Sequence, residues 1–317
     1  MREIRVGVAQ FENRDNDKIY NLNRVRDLTR RAVEQGAEIV SFHEGCIPAY
    51  TWVQPLGKDE LLRIAEPVPD GPSVGKLTEI AHEFKVIVMA GLFELDGAGN
   101  VYNCYVTVGP DGYITKFRKL HTFVSPHLSA GSEYNVIDLL DCKIGFLTCY
   151  DNNLPENVRI TTLLGAEMIF MPHVTCCLPS AMPGRGSVDR KLWDNRHRDP
   201  VRLRQEFSGP KGRDWLMRWL PTRAYENGVY AMFSNPIGWD YDTVKPGLAM
   251  ILDPFGEVLV ESTALEDDVV VGLLTPEKIE QSSGQRYLKA RRPELYDKLV
   301  EPQESETLPG WTMEHEE

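Results

Sequence analysis

The chain has 317 residues, with 35 Lys and Arg against 47 Asp and Glu and a hydrophobic content of 42%. These proportions suit a folded globular protein and exclude a disordered or fibrous chain. A net charge of −12 argues against a general binder of nucleic acid or anionic membrane, which needs clustered positive charge. No apolar run reaches the roughly 20 residues of a membrane span. The opening MREIRVGVAQF alternates like a strand and does not read as a secretory leader. The six cysteines, Cys46, Cys104, Cys142, Cys149, Cys176 and Cys177, form no CxxC pair, so no disulfide framework is expected. Together these features predict a cytoplasmic protein.

A strand pattern over residues 4–11 comes first, followed by apolar residues stepping by three or four at Leu22, Val25, Leu28, Ala32 and Val33, the period of a helix. A strand over 38–43 precedes a second helical period at Val74, Leu77, Ile80, Ala81 and Phe84, which opens at Pro72 and Ser73. Strands are then expected over 86–93 and 102–108. The first of these is apolar throughout, as in a strand covered on both faces. The turn Gly109-Pro-Asp-Gly112 leads to a segment ending at Lys119. A strand over 143–149 and a helix from about Pro155 to Gly165 come next. The last strand patterns fall at 167–174, 229–235, 248–252, 257–261 and 268–274. A second turn, Asp253-Pro-Phe-Gly256, repeats the form of the first and hints at a two-part sheet.

This alternation predicts an α/β protein with stacked sheets between helical layers, in one domain over residues 1–301. Residues 175–214 depart from it. They hold nine Lys or Arg and five Asp or Glu, a local +4, and read as a long loop with a short helix at most. Such a loop serves either to hold an anionic substrate group through arginine or as a solvated or subunit-contact surface. Residues 302–317 form an acidic tail in which Leu308 and Trp311 are the apolar anchors.

Three strand ends deliver reactive side chains: Glu44 after IVSFH, Lys119 after TKFR and Cys149 after IGFLT. A thiol attacking a carbonyl or nitrile carbon needs a base, which Glu44 supplies. Charge developing on oxygen or nitrogen needs donors, and Lys119 with the backbone N–H of Tyr150 provides them. On spacing alone, a strand cysteine reads more readily as a core residue.

The motifs FHEG, FRKLH and TCYDNNLPENVR, together with LLGAE, RAYENGVY and PFGEV, resemble the carbon–nitrogen hydrolase family, also called the nitrilase superfamily. The resemblance runs from VGVAQF to ARRPELY. It implies a four-layer α-β-β-α sandwich, a Glu44–Lys119–Cys149 triad, no metal or organic cofactor, and assembly into dimers or larger homo-oligomers. The implied function is hydrolysis of a non-peptide C–N bond, in an amide or N-carbamoyl group, through a thioester with release of ammonia. A nitrilase and a non-catalytic binding member are the alternatives. The partner expected is therefore a small amide, N-carbamoyl compound or nitrile, with neither nucleic acid nor membrane. CYDN in place of CWEN, and LEDDVVVGLL with KARRPELY, lean toward amidases and carbamoylases.

One departure stands out. The family usually carries a second Glu between the Lys and the Cys, and His127 falls near that position, as a neutral donor–acceptor for substrate or as a simple loop residue. His173 and Thr175 follow the next strand and either line the substrate pocket or pack beneath it. Asn152 either meets substrate or caps the following helix. Tyr50 and Trp52 are read as pocket wall or core. His173 with Cys176 and Cys177 lacks zinc spacing, so no metal is expected.

Overall fold

The structure is a computed structural model that describes residues 1–122 and 124–302. In chain order the elements are β1 (Ile4–Gln10), α1 (Lys18–Glu34), β2 (Ile39–Ser41), α2 (Lys58–Ile64), α3 (Pro72–Phe84), β3 (Ile87–Leu95), β4 (Val101–Gly109), β5 (Gly112–Arg118), β6 (Leu128–Ser129), β7 (Val136–Leu139) and β8 (Cys142–Phe146). There follow α4 (Pro155–Leu163), β9 (Met168–Pro172), α5 (Arg190–Asp194), α6 (Pro200–Ser208), α7 (Arg213–Leu216), α8 (Leu220–Asn227), β10 (Tyr230–Ser234), β11 (Ile237–Asp240), β12 (Thr243–Pro246), β13 (Met250–Leu252), β14 (Val258–Glu261), β15 (Asp268–Leu274), α9 (Pro276–Glu280) and α10 (Ser283–Lys289). The acidic tail expected from 302 onward lies, beyond Pro302, outside the described residues.

Two sheets carry the fold. The first runs β15-β1-β2-β3-β4-β5, with β6 beside β4, and the second runs β7-β8-β9-β10-β13-β14. Read in that direction, each has an antiparallel first pair, two parallel pairs and two antiparallel pairs. The two similar turns join β4 to β5 and β13 to β14, the same place in each sheet. The repeated turn is thus the sequence trace of a repeated architecture.

Alternation along the strands sorts side chains between layers. In β1, Val6 and Val8 join the cluster between the sheets, with Met89, Ile144, Met168 and Met232. Ala9 faces the other way, in a cluster with Val25, Leu28 and Ala32 of α1 and Val74, Leu77 and Ile80 of α3. The apolar period of those helices is therefore the stripe that covers the first sheet. Asp17 caps α1 by accepting from the Tyr20 N–H at 2.9 Å. On the opposite flank α4 lies so close to β8 that a Cβ on Gly145 would meet Thr161 Cγ2 at 2.4 Å. The order helix, sheet, sheet, helix is the sandwich expected.

The segment expected as a long loop is mostly built. Residues 175–214 contain α5, α6 and the first half of α7, and they bury Trp193, Leu203 and Phe207 in the inter-sheet cluster. α5 and α7 span five and four residues and α6 buries only Leu203 and Phe207, too little of a stripe to stand out among the charged residues around it. The β11–β12 hairpin and β7 carry only four residues per strand and were likewise absent from the strands expected.

Candidate active site

Glu44, Lys119 and Cys149 follow β2, β5 and β8, and the fold brings these three strand ends together. All three side chains are buried. Lys119 Nζ lies 2.6 Å from Glu44 Oε1, and Asn103 Nδ2 donates to the same oxygen at 2.6 Å. Glu44 Oε2 is buried without a hydrogen bond. Lys119 Nζ also stands 3.4 Å from Tyr50 Oη, above a ring whose centroid is 5.3 Å away.

Each side chain is held from behind. Gly91 of β3 permits the crossing that places Glu44: a Cβ there would come within 2.1 Å of Gly45 N. The Tyr105 hydroxyl donates to Phe42 O at 2.8 Å just upstream. Lys119 N donates to Asn103 O at 2.9 Å, and Gly131 N donates to Lys119 O at 2.8 Å. Asn103 therefore fixes the backbone of the lysine and the side chain of the glutamate at once. The end of β5 is further anchored by the buried Glu94, which accepts from Lys116 at 2.5 Å and from Arg118 at 2.7 and 2.9 Å.

Cys149 begins a 3-10 turn, Cys149–Asn153, and its φ is +51°. A non-glycine residue there sits in the left-handed region at a cost of about 1–2 kcal/mol, and such strain persists where the surroundings enforce it. Asp151 does much of the enforcing. Its carboxylate accepts from Thr148 N (3.2 Å), Leu120 N (3.2 Å), His121 N (2.9 Å) and His121 Nδ1 (2.9 Å). It thereby stitches the loop after Lys119 to the turn of Cys149. Arg223 of α8 reaches the same turn, donating to Asn152 O at 3.0 Å and Asn153 O at 2.9 Å.

Electrostatics define the resting state. Burial first, then the Glu44 charge, push the Cys149 thiol up to about 12, while Lys119 pulls the other way. The resting group is a thiol, so attack requires that its proton be taken as the bond forms. Burial on its own would lower Lys119, but nearby negative charge, Glu44 first, outweighs it and holds the ammonium well above its ordinary value. The buried lysine is a permanent cation.

The other expected residues divide. His173 is buried, with Nδ1 2.8 Å from Met171 O, its ring against Phe233 and Trp219, and Nε2 unpartnered. Burial lowers it to about 3, so it is neutral, with Nδ1 donating and Nε2 free to accept. Thr175 is fixed through its backbone by Asn235, whose side chain accepts from Thr175 N at 2.8 Å and donates to Thr175 O at 3.3 Å. Asn152 Nδ2 donates to Leu147 O at 2.8 Å and Cys149 O at 3.3 Å, bracing the Cys149 turn. Tyr150 is half-buried, its ring edge-on to His121. Tyr50 meets Lys119, while Trp52 is half-buried and donates to Pro48 O at 2.7 Å.

His127 is not brought into this group. It stands exposed in the turn before β6, where its N–H donates to Ser125 Oγ at 3.3 Å. The side chain found against Glu44 in its stead is Asn103, which no motif flagged. Its only signal was an amide, with Thr107, inside a largely apolar strand. Among the described residues, no group of three His, Cys, Asp or Glu side chains is arranged to hold a metal ion, and no helix is long and apolar enough to cross a membrane.

The profile described as carbon–nitrogen hydrolase matches residues 5–283. An (R)-stereoselective amidase of Pseudomonas sp. is 28% identical over 292 residues, covering 91% of this chain and 92% of its own. The omega-amidase of Mus musculus is 28% identical, with 87% and 91% covered. A nitrilase of Pyrococcus abyssi is 27% identical, with 84% and 88% covered. Among solved structures, an amidase from Nesterenkonia sp. in complex with acrylamide superposes with a TM-score of 0.70 at 19% identity, covering 94% of this chain and 97% of that one. Another form of that amidase bears the acetamide moiety of fluoroacetamide on its active-site cysteine.

Proposed function

The chain belongs to the carbon–nitrogen hydrolase family, and from that premise we propose that it is an amidase whose nucleophile is Cys149, acting as one catalytic unit over residues 1–301. The observation that carries this reading is the buried Glu44–Lys119 contact of 2.6 Å beside a thiol held in its protonated form. The amidase relatives, and the active-site cysteine of the Nesterenkonia enzyme that carries the acetamide moiety of fluoroacetamide, support it.

In this mechanism Glu44 takes the Cys149 proton as sulfur attacks the amide carbon, so no free thiolate is needed. The carbonyl oxygen becomes an oxyanion, stabilised by the Lys119 ammonium and the Tyr150 N–H. Glu44 then protonates the nitrogen as the C–N bond breaks and ammonia departs, leaving a thioester. Water loses a proton to Glu44 and attacks the thioester. The C–S bond breaks, the acid leaves and the thiol regains its proton. Lys119 stays charged throughout. Attack on a nitrile would engage the same three groups. The amide reading is preferred because amidases predominate among the named relatives and the bound ligands are amides. We place the enzyme in the cytoplasm as a homo-oligomer.

The test is ammonia release from aliphatic amides, aromatic amides, N-carbamoyl amino acids and nitriles, with Cys149→Ala beside the wild type. We expect release from amides or ureides, lost in the variant. Normal activity in Cys149→Ala would falsify the mechanism. Silence from the wild type with a Cys149 inert to fluoroacetamide would point to the non-catalytic alternative.

A further inference from the structure

Behind the Glu44–Lys119 pair lies a buried polar network that the chemistry at the strand ends does not use. Its centre is Asp240, the last residue of β11. The β11–β12 hairpin belongs to neither large sheet. It is fastened to the segment after β1, where Ile237 N donates to Phe11 O at 3.3 Å and Trp239 N to Glu12 Oε1 at 2.9 Å. Asp240 thereby meets Asn13 and Thr51, both buried. Burial pushes its carboxyl up, while Lys245 of β12 and the two hydrogen-bonding side chains pull the other way. A carboxylate is costly to bury, so the question is what this one holds.

Two arms leave it. Thr51 Oγ1 donates to Asp240 Oδ2, and Thr51 follows Tyr50, whose hydroxyl lies 3.4 Å from Lys119 Nζ. Asn13 Nδ2 donates to Asp240 Oδ1 at 3.4 Å. Asn13 Oδ1 in turn lies 3.2 Å from Nε2 of His43, the residue before Glu44. An ionised carboxylate only accepts, so it draws the Asn13 amide nitrogen toward itself and leaves the amide oxygen facing His43. That oxygen requires a proton on Nε2. Asp240 therefore sets the tautomer of a ring that packs on Phe11, 4.6 Å between centroids, with Nδ1 buried and without a partner among the described residues. One carboxylate, remote in sequence, thus fixes both the neighbour of Glu44 and the neighbour of Tyr50.

We propose that Asp240 is a positioning residue: through Asn13 and His43 it holds Glu44, and through Thr51 and Tyr50 it holds Lys119, in the geometry that lets the pair act with Cys149. This rests on the amidase reading. Asp240 acts only through these side chains and is not itself a reacting group.

The experiment uses the full-length enzyme and fluoroacetamide, which reports attack by Cys149 before any substrate is known. Labelling is followed by mass spectrometry over a range of reagent concentrations, and urea unfolding gives the folded fraction of each variant. We expect Thr51→Val and Asn13→Leu each to lower the maximal labelling rate by roughly tenfold and Asp240→Leu by about a hundredfold. The half-saturating concentration should stay nearly unchanged. Thr51→Ser and Asp240→Asn keep hydrogen-bonding atoms in place and should recover most of the loss. Adding Asn13→Leu to Asp240→Leu should cost nothing further, because that arm is already cut. In ¹⁵N NMR the wild-type His43 should be the Nε2–H tautomer, and Asn13→Leu should abolish that single form. Because Asp240→Leu strands buried donors and can fail to fold, the near-isosteric Thr51→Val and the tautomer decide the matter. Folded Thr51→Val and Asn13→Leu that label at the wild-type rate, or a wild-type His43 protonated on Nδ1, overturn the positioning role and spare the amidase reading. A folded wild type that is inert to fluoroacetamide and silent on amides overturns the amidase reading, and the positioning role with it.

Discussion

The two sheets share one strand order, but their ends are finished differently. The end of the first carries Glu44 and Lys119: Asn103 and Lys119 both meet Glu44 Oε1, and Lys119 also reaches Tyr50 Oη. The end of the second carries Cys149, on a turn held by Asp151, Asn152 and Arg223. Each sheet also ends in a buried histidine, His43 beside Glu44 and His173 beside Thr175, both lowered to about 3 by burial. The contrast is one of construction: the first end is built around a buried ion pair, the second around a turn of left-handed backbone held by hydrogen bonds.

The strongest way to break that contrast is to disturb the ion-paired side. Lys119→Met strands Glu44 as an unpaired buried charge. We expect turnover to vanish and stability to fall by about 3–5 kcal/mol, measured by urea unfolding. A stable, active variant would mean the pair is dispensable. Gly91→Ala leaves every catalytic group in place but forces a Cβ toward Gly45 N. It should lower kcat on the order of 10²-fold and destabilise by about 1–3 kcal/mol, and an unchanged kcat would show that the position of Glu44 tolerates displacement.

The paired histidines sharpen the comparison. Folded His43 and His173 remain neutral down to about pH 3, whereas the unfolded chain protonates both below about 6.5. Protons therefore favour unfolding, and the stability present above pH 6.5 is lost as pH falls toward 3, by at most about 1.4 kcal/mol per pH unit for each ring. His173→Phe should flatten this loss between pH 6.5 and 4 in chemical denaturation, and parallel curves would place the titration elsewhere. The smallest effect is expected from His127→Glu. Its exposed position predicts a stability change within about 0.5 kcal/mol and an unaltered substrate ratio; a changed ratio would return His127 to the pocket.

Glu44, Lys119 and Cys149 were legible as a group because each sits at the end of a strand in a motif long enough to be distinctive. The architecture was legible in the apolar periods of α1 and α3 and in the repeated turn. Asn103 was not, because its role depends on β4 pairing with β3 and β5 in a register that sets its amide against Glu44, and no local pattern encodes that. His127 was singled out for its place in a motif gap, but spacing along a loop does not determine which way the loop faces. Residues 175–214 read as loop because α5 and α7 have five and four residues, too few to display a helical period, while their burial depends on Trp193 and Leu216 meeting the core.

Asp151 has a consequence for how the site breathes. One carboxylate holds the amides of Leu120 and His121 on one strand connection and of Thr148 on the other. Hydrogen exchange at His121 is therefore coupled to loosening of the backbone that carries Cys149. The exchange rate of that single amide is a spectator gauge of the cysteine turn, readable by NMR without touching any reacting atom.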